Sequence, residues 1–274
     1  MGPKTVLVHV DDAASCEARF EVALQLSSSY GAHLVGLYVH RLYALEWNAL
    51  TIENVVSREN DEEGIRLREV LQERSLKAGM NLEWRSIKVK DELEMGLHAR
   101  YADLMIVGQP EPSAHLYTSP DFPAALTLAV ARPVLVIPHN YKIAPIGVNI
   151  LIAWNRSREA TRAVADALVL LKRAQKVTVL VLGRAEGPLV AGDEPGADIA
   201  LNLARHGVNV EVRYDEAEEE DKTVGERILA HAFQVGADLI VMGAYGHWRI
   251  REFLVGGVTR SLVRQSRVPV LMSH

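Results

Sequence analysis

Two segments of this sequence are nearly the same. Residues 102–108 read Ala-Asp-Leu-Met-Ile-Val-Gly, and residues 237–243 read Ala-Asp-Leu-Ile-Val-Met-Gly. Two further pairs of similar segments occur in the same order along the chain: residues 5–11 with 149–155, and residues 131–139 with 266–274. Similar segments repeated in order are typical of a tandem duplication, in which each copy folds as the same unit. The duplication predicts two domains, residues 1–143 and 144–274.

Each copy alternates strand-like and helix-like segments. In the second copy, apolar residues recur at helical spacing over residues 158–173, and further helical patterns cover 224–235 and 260–265. Nearly continuous apolar runs predict strands at residues 149–154, 177–182, 208–214, 239–242 and 268–272. Such strands, alternating with amphipathic helices, are typical of a parallel sheet covered on both faces. We therefore predict an α/β fold of two tandem doubly wound, Rossmann-like parallel-sheet domains.

The last strand of each copy, at residues 133–137 and 268–272, could lie at a sheet edge, where unpaired backbone groups invite another strand. We expect these two strands to pair with each other within one chain. That pairing would form an internal pseudo-dimer and leave any homodimer to other surfaces.

Composition excludes several classes of protein. Among 274 residues, 30 are basic and 35 acidic, a net charge of −5, so we expect no nucleic-acid partner. The lone Cys16 excludes an internal disulfide and a four-thiolate zinc site. No export signal and no apolar run of about 20 residues is visible, which predicts a cytoplasmic protein without a membrane segment. No motif of a hydrolase or a zinc protease occurs, so we assign no catalytic residue and no metal ligand.

A glycine-containing loop follows the predicted strand 239–242. It contains Gly243, Gly246 and Gly256, and a helical pattern begins shortly afterwards. Glycines let backbone amides approach a phosphate closely, and a helix N-terminus adds oriented N–H donors with a partial positive charge. The loop therefore predicts an anion site at the carboxyl ends of the strands, where ligands bind in open α/β sheets. It is neither a Walker A loop nor a dinucleotide fingerprint.

In this loop and its surroundings the sequence resembles the universal stress protein family, in tandem form over essentially the whole chain. Nucleotide-binding members carry Gly, two residues, Gly, nine residues, Gly, then Ser or Thr, and Gly243, Gly246 and Gly256 match that spacing. The resemblance implies that an adenine nucleotide contacts the ends of the first and second strands and the glycine loop. The residues at those places are Ala153, Asn155, Leu182, Met242, Gly243, Gly246, Gly256, Gly257, Val258 and Thr259.

The second copy departs from the family pattern at two positions. Asn155 stands where the family has Asp, and Gly257 stands where it has Ser or Thr. Loss of one hydrogen bond weakens a site by about 0.5–1.5 kcal/mol, and the hydroxyl of Thr259 could compensate. His247, Arg249 and Arg251 could face the phosphates or could be solvated surface groups.

The first copy departs in its loop. Asp11 and Val39 hold the positions at the strand ends, but no second glycine follows Gly108. Residues 109–123 instead contain four prolines, which lack an N–H group, and two carboxylates, which would repel phosphates. We therefore expect no triphosphate site in the first copy.

The resemblance implies a cytoplasmic universal stress protein that binds ATP or ADP, with or without Mg²⁺, in its second domain and acts as a stress-response sensor or regulator. Two alternatives stay open. One is a nucleotide-free interaction scaffold. The other is a slow ATP-hydrolysing or phosphotransfer enzyme using His247 or Thr259, although the lysine and metal ligands usual for fast phosphoryl transfer are missing from the sequence pattern.

Overall fold

The computed structural model describes residues 2–41, 49–89, 94–110, 121–183, 194–216, 223–245 and 257–274. Within these residues the chain divides into two compact units. The first comprises residues 1–132 and 139–143, and the second comprises residues 133–138 and 144–274. None of the described helices is long and apolar enough to cross a membrane.

The first unit contains a parallel sheet of four strands in the order β3-β2-β1-β4. The strands and the helices that connect them alternate along the chain. Their bounds are β1 Thr5–Val10, α1 Cys16–Tyr30, β2 His33–Arg41, α2 Ala49–Lys77, β3 Leu82–Val89, α3 Met95–Ala99, β4 Leu104–Gly108 and α4 Phe122–Val130. Helix α1 packs on β1, β2 and β4.

The second unit contains a sheet of six strands in the order β5-β10-β9-β6-β7-β8. Its elements are β5 Val134–Ile137, β6 Asn149–Ala153, α5 Arg158–Leu171, β7 Lys176–Leu182, α6 Ala197–Arg205, β8 Val210–Asp215, α7 Val224–Gln234, β9 Leu239–Gly243, α8 Gly257–Gln265 and β10 Val270–Ser273. Four consecutive residues of β9 are buried, so both faces of this strand are covered, as its continuous apolar sequence predicts. The predicted α/β fold is confirmed in both units.

The predicted pairing of the two terminal strands is also confirmed. Strand β5 runs antiparallel to β10, with Val136 opposite Val270 and Val134 opposite Met272. All other strand pairs in the second unit are parallel. Strand β5 therefore belongs to the first copy in sequence and to the second unit in its contacts.

Two features of the second unit were not predicted. Helix α6 was missed because it is a single short amphipathic segment, with only Ile199 and Leu203 buried, after a stretch rich in glycine. Helix α8 begins at Gly257, three residues before the predicted helix. Glycine has a low helix propensity, so the sequence alone favoured a loop at that position.

The repeated aspartate of each Ala-Asp-Leu segment accepts hydrogen bonds from backbone amides at the start of the neighbouring strand. Asp103 accepts hydrogen bonds from the backbone amides of Lys4 and Thr5, at 2.7 and 3.1 Å. Asp238 accepts from the amides of residues 147–149 at 2.7–2.9 Å. Burial raises the pKa of Asp238, and these three amides act in the opposite direction. Both aspartates lie at the amino ends of the strands, so their repetition reflects the fold and not a ligand.

Candidate functional site

The strand register of the second sheet brings three predicted site residues together at the carboxyl ends of its strands. Ala153, the last residue of β6, is paired with Met242 of the neighbouring β9. Leu182 ends β7, the neighbour of β6 on its other side. The backbone amide of Trp154 donates to the carbonyl of Leu180 at 2.9 Å, so the β6–β7 ladder extends to this edge. Since these strands are parallel, their carboxyl ends meet at the same place.

Gly243 is required for the packing of β9 against α5. A Cβ atom at this position would collide with the amide nitrogen of Ala160 and would lie 2.5 Å from the carbonyl carbon of Glu159. Both are backbone atoms in the first turn of α5, and they cannot move aside without distorting the helix. The end of β9 therefore touches the start of α5, and only glycine fits between them.

Gly257 has different surroundings. It is the first residue of α8, is exposed, and has no atom within 4 Å of a Cβ built on it. Val258 is half-buried, while Thr259 is only 3% exposed. Gly257 is thus the most accessible described residue at the start of this helix. Gly246 and Gly256, together with His247, Arg249 and Arg251, lie outside the described residues.

Asn155 follows β6 in a turn that is repeated in the first unit. Its Oδ1 atom accepts a hydrogen bond from the amide of Ser157 at 3.1 Å. Asp11 makes the same contact, accepting from the amide of Ala13 at 3.2 Å. The two side chains therefore occupy equivalent turns, as the sequence repeat predicts.

In the first unit, an arginine of α1 fills the corresponding strand-end position. Arg19 is 1% exposed, and its Nε atom donates to the carbonyl of His9 at 2.7 Å. Its Nη2 atom donates to Oδ1 of Asp11, also at 2.7 Å. A Cβ on Gly108 would collide with Nη1 of the same guanidinium. The group thus lies between the carboxyl ends of β1 and β4.

Sequence reasoning missed this role of Arg19. The residue stands in the segment Ala18-Arg19-Phe20, all three residues of which are buried. A lone arginine in a helix is usually a surface residue, and its partners are eight to ten positions earlier and in another strand. Only a three-dimensional arrangement could identify it. The nearby Cys16 thiol is also buried, and burial raises its pKa, so it is a poor nucleophile.

Within the described ranges, no group of three or more His, Cys, Asp or Glu side chains is arranged to hold a metal ion. The residues that the structure brings together in the second unit are therefore apolar strand ends, glycines, an amide and a helix N-terminus. Such a set can hold a ligand by apolar contact and hydrogen bonding.

Comparisons with known proteins identify relatives of this chain. The sequence model of the universal stress protein family matches residues 148–274. Universal stress protein Slr1230 of Synechocystis sp. is 25% identical over 145 residues, which are 52% of this chain and 47% of that protein. The chain thus spans about half the length of this curated relative.

This chain is also similar to two solved structures. A universal stress protein from Archaeoglobus fulgidus has a TM-score of 0.74 and 16% identity, with 98% of this chain and 95% of that chain covered. This likeness shows a shared fold over both units. A universal stress protein family protein from Arabidopsis thaliana, solved with AMP bound, has a TM-score of 0.37 and 18% identity, with 50% of this chain and 93% of that chain covered.

Proposed function

Because this chain belongs to the universal stress protein family through residues 148–274, we propose that its second unit binds one adenine nucleotide, ATP or ADP, at the carboxyl ends of its strands. In this proposal Leu182 and Met242 provide apolar contacts to the nucleoside, and Asn155 provides a hydrogen bond. The amides at the start of α8 and the glycine loop bind the phosphates, since a helix N-terminus favours negative charge.

The main support for this proposal is a difference between the two units at the carboxyl ends of their strands. In the first unit, the place between two strand ends holds the guanidinium of Arg19, which is bonded to Asp11. In the second unit, the offset of the repeat that relates Asp11 to Asn155 relates Arg19 to Ala163, which is buried in α5. Asn155 therefore has no bond to an arginine among the residues that the structure describes, whereas Asp11 has one.

We further propose that the protein acts by holding the nucleotide, as a sensor or regulator in a stress response. A slow ATP-hydrolysing enzyme is the weaker alternative. Thr259 is 3% exposed, so its hydroxyl is poorly placed to reach a ligand as a catalytic group. A nucleotide-free scaffold is the second alternative, and only a binding measurement separates it from the proposal.

Mass spectrometry is the first test. Protein purified under native conditions and then denatured should release an adenine nucleotide, at one molecule per chain. Calorimetry on nucleotide-free protein should likewise give one site for ATP or ADP. Two equivalent sites, or no bound nucleotide by either method, would contradict the proposal.

Two variants make the test specific. Gly246→Asp places a carboxylate in the glycine loop and should abolish binding through repulsion of the phosphates. Gln175→Glu adds the same charge at the opposite edge of the sheet, where Gln175 is exposed before β7, and should bind as the wild type does. Unchanged binding by Gly246→Asp would place the phosphates elsewhere.

A further inference from the structure

The turn after the first strand of each copy carries opposite charges in the two copies. In the first unit it contains Asp11 and Asp12, which are two carboxylates. In the second unit the equivalent residues are Asn155 and Arg156, a neutral amide and a guanidinium. The same backbone turn thus changes from two negative charges to one positive charge.

The turn also fixes which end of the Asn155 side chain is available. Because the amide of Ser157 donates to Oδ1, that oxygen faces the backbone. The Nδ2 group, with two N–H donors, is left to face outward, and it has no hydrogen-bond partner among the described residues. An aspartate in this turn would present an acceptor there. The substitution therefore replaces an acceptor with a donor.

Arg156 also favours a ligand group that accepts hydrogen bonds and carries negative charge. Its φ of 61° lies in the left-handed region, which glycine adopts at lower cost, so local backbone preference does not explain an arginine here. The side chain is exposed and makes no hydrogen bond or ion pair within the part of the chain that the structure describes. Its long side chain can therefore reach a ligand beside Asn155.

The carboxylate nearest in sequence does not cancel this charge. Glu159, in the first turn of α5, lies 3.5 Å from the guanidinium of Arg158. Glu159 is 8% exposed and Arg158 is largely exposed. The turn and the first helical turn together therefore carry a net positive charge.

We propose that the turn at Asn155 and Arg156 binds a phosphate group on the ribose, so that the ligand of the second unit is an adenosine nucleotide with a 2′- or 3′-phosphate. This inference rests on the proposed nucleotide site. Phosphate oxygens accept hydrogen bonds from both the Nδ2 group and the guanidinium. The equivalent turn of the first unit carries carboxylates, one of them bonded to Arg19, and carboxylates offer no hydrogen-bond donor to such a group. In dinucleotide-binding folds, exchange of an acid for an arginine near the ribose has the same effect.

The test compares four ligands on the full chain by calorimetry: AMP, inosine 5′-monophosphate, adenosine 2′,5′-bisphosphate and adenosine 3′,5′-bisphosphate. One bisphosphate should bind the wild type about tenfold more tightly than AMP, as one charge-assisted hydrogen bond would give. Asn155→Asp and Arg156→Gln should each reduce this ratio of affinities to about one or below. Arg173→Gln, which removes a charge beyond the far end of α5, should leave the ratio unchanged.

Three results would overturn the inference. Equal affinities of the wild type for AMP and both bisphosphates would do so, as would a preference that survives Asn155→Asp. A preference for inosine 5′-monophosphate over AMP that Asn155→Asp abolishes would show that Nδ2 faces the base. In these cases AMP still binds, and the proposed function stands. Absence of binding by every one of these nucleotides and by ATP and ADP would overturn both proposals.

Discussion

The guanidinium of Arg19 acts as an internal ligand of the first unit. It bonds to Asp11 and to the carbonyl of His9, and it is buried almost completely. In this turn Asp11 is therefore already bonded to a cation of its own chain. The role of Asp11 is therefore structural, although its position in the sequence is that of a ligand-binding residue.

Removal of this arginine should destabilise the first unit strongly. Arg19→Ala removes a buried guanidinium and leaves the partly buried carboxylate of Asp11 without its cation, and loss of one partner of a buried ion pair typically costs about 3–5 kcal/mol. The melting temperature should fall, and millimolar guanidinium should raise it again by binding in the vacated place. Guanidinium should not stabilise the wild type or Arg19→Lys, since lysine keeps a charge in the site. An Arg19→Ala protein that melts like the wild type would contradict this role.

The two glycines of the candidate site should respond differently to substitution. Gly257 has open space around it, so Gly257→Ser should fold normally and raise ATP affinity a few-fold through one added hydroxyl, about 0.5–1.5 kcal/mol. Gly257→Ala adds the carbon without the hydroxyl and should give no gain. Calorimetry on both variants checks this. Weaker binding by both would show that the α8 start requires glycine for its backbone.

At the scale of elements, the strands at the sheet ends, β3 and β8, share a pattern that the sequence repeat did not reveal. Glu83 and Arg85 form an ion pair on β3, and Glu211 and Arg213 form the corresponding pair on β8. Each glutamate also pairs across to the first residue of the neighbouring strand, His33 or Lys176. Charged side chains on end strands discourage pairing with other chains.

This pattern predicts a pH dependence of stability. The hydrogen bond from Lys176, with further ones from Thr178 and Arg213, lowers the pKa of Glu211 below its usual value of 4.5. The stabilisation is therefore complete above that value and is lost as the pH falls through the lowered pKa. Glu211→Gln should lower the free energy of unfolding measured by urea titration at pH 7, by at most about 1 kcal/mol because the pair is partly exposed, and should have a smaller effect at pH 3, where more of Glu211 is protonated. An equal loss at both pH values would exclude a charge effect.

The sequence predicted the elements well and the site only in part. Strands such as β9 are buried on both faces, so their continuous apolar runs are visible without any knowledge of neighbours. The packing of Gly243 on the first turn of α5 and the filling of the first unit by Arg19 depend on residues distant in sequence. The left-handed conformation of Arg156 was also unpredictable, because glycine is the residue that normally indicates it.

At the scale of the whole molecule, the antiparallel pair of β5 and β10 should be measurable by hydrogen exchange. Leu271 of β10 is buried opposite Leu135 of β5. Leu271→Ala should weaken the core around this ladder by about 2–5 kcal/mol and accelerate amide exchange in both strands. Strands β2 and β3 should keep their exchange rates, which serve as the internal control. Faster exchange in β10 alone would mean that β5 is held by other contacts.

The β5–β10 pair also has a consequence for how the two copies can evolve. Where two identical chains associate through one strand, each mutation appears on both sides of the symmetry axis at once. Here the two strands are encoded separately, so a mutation alters one side only. One copy could therefore acquire Arg19 and lose its glycines while the other kept them, without a second gene to supply the partner.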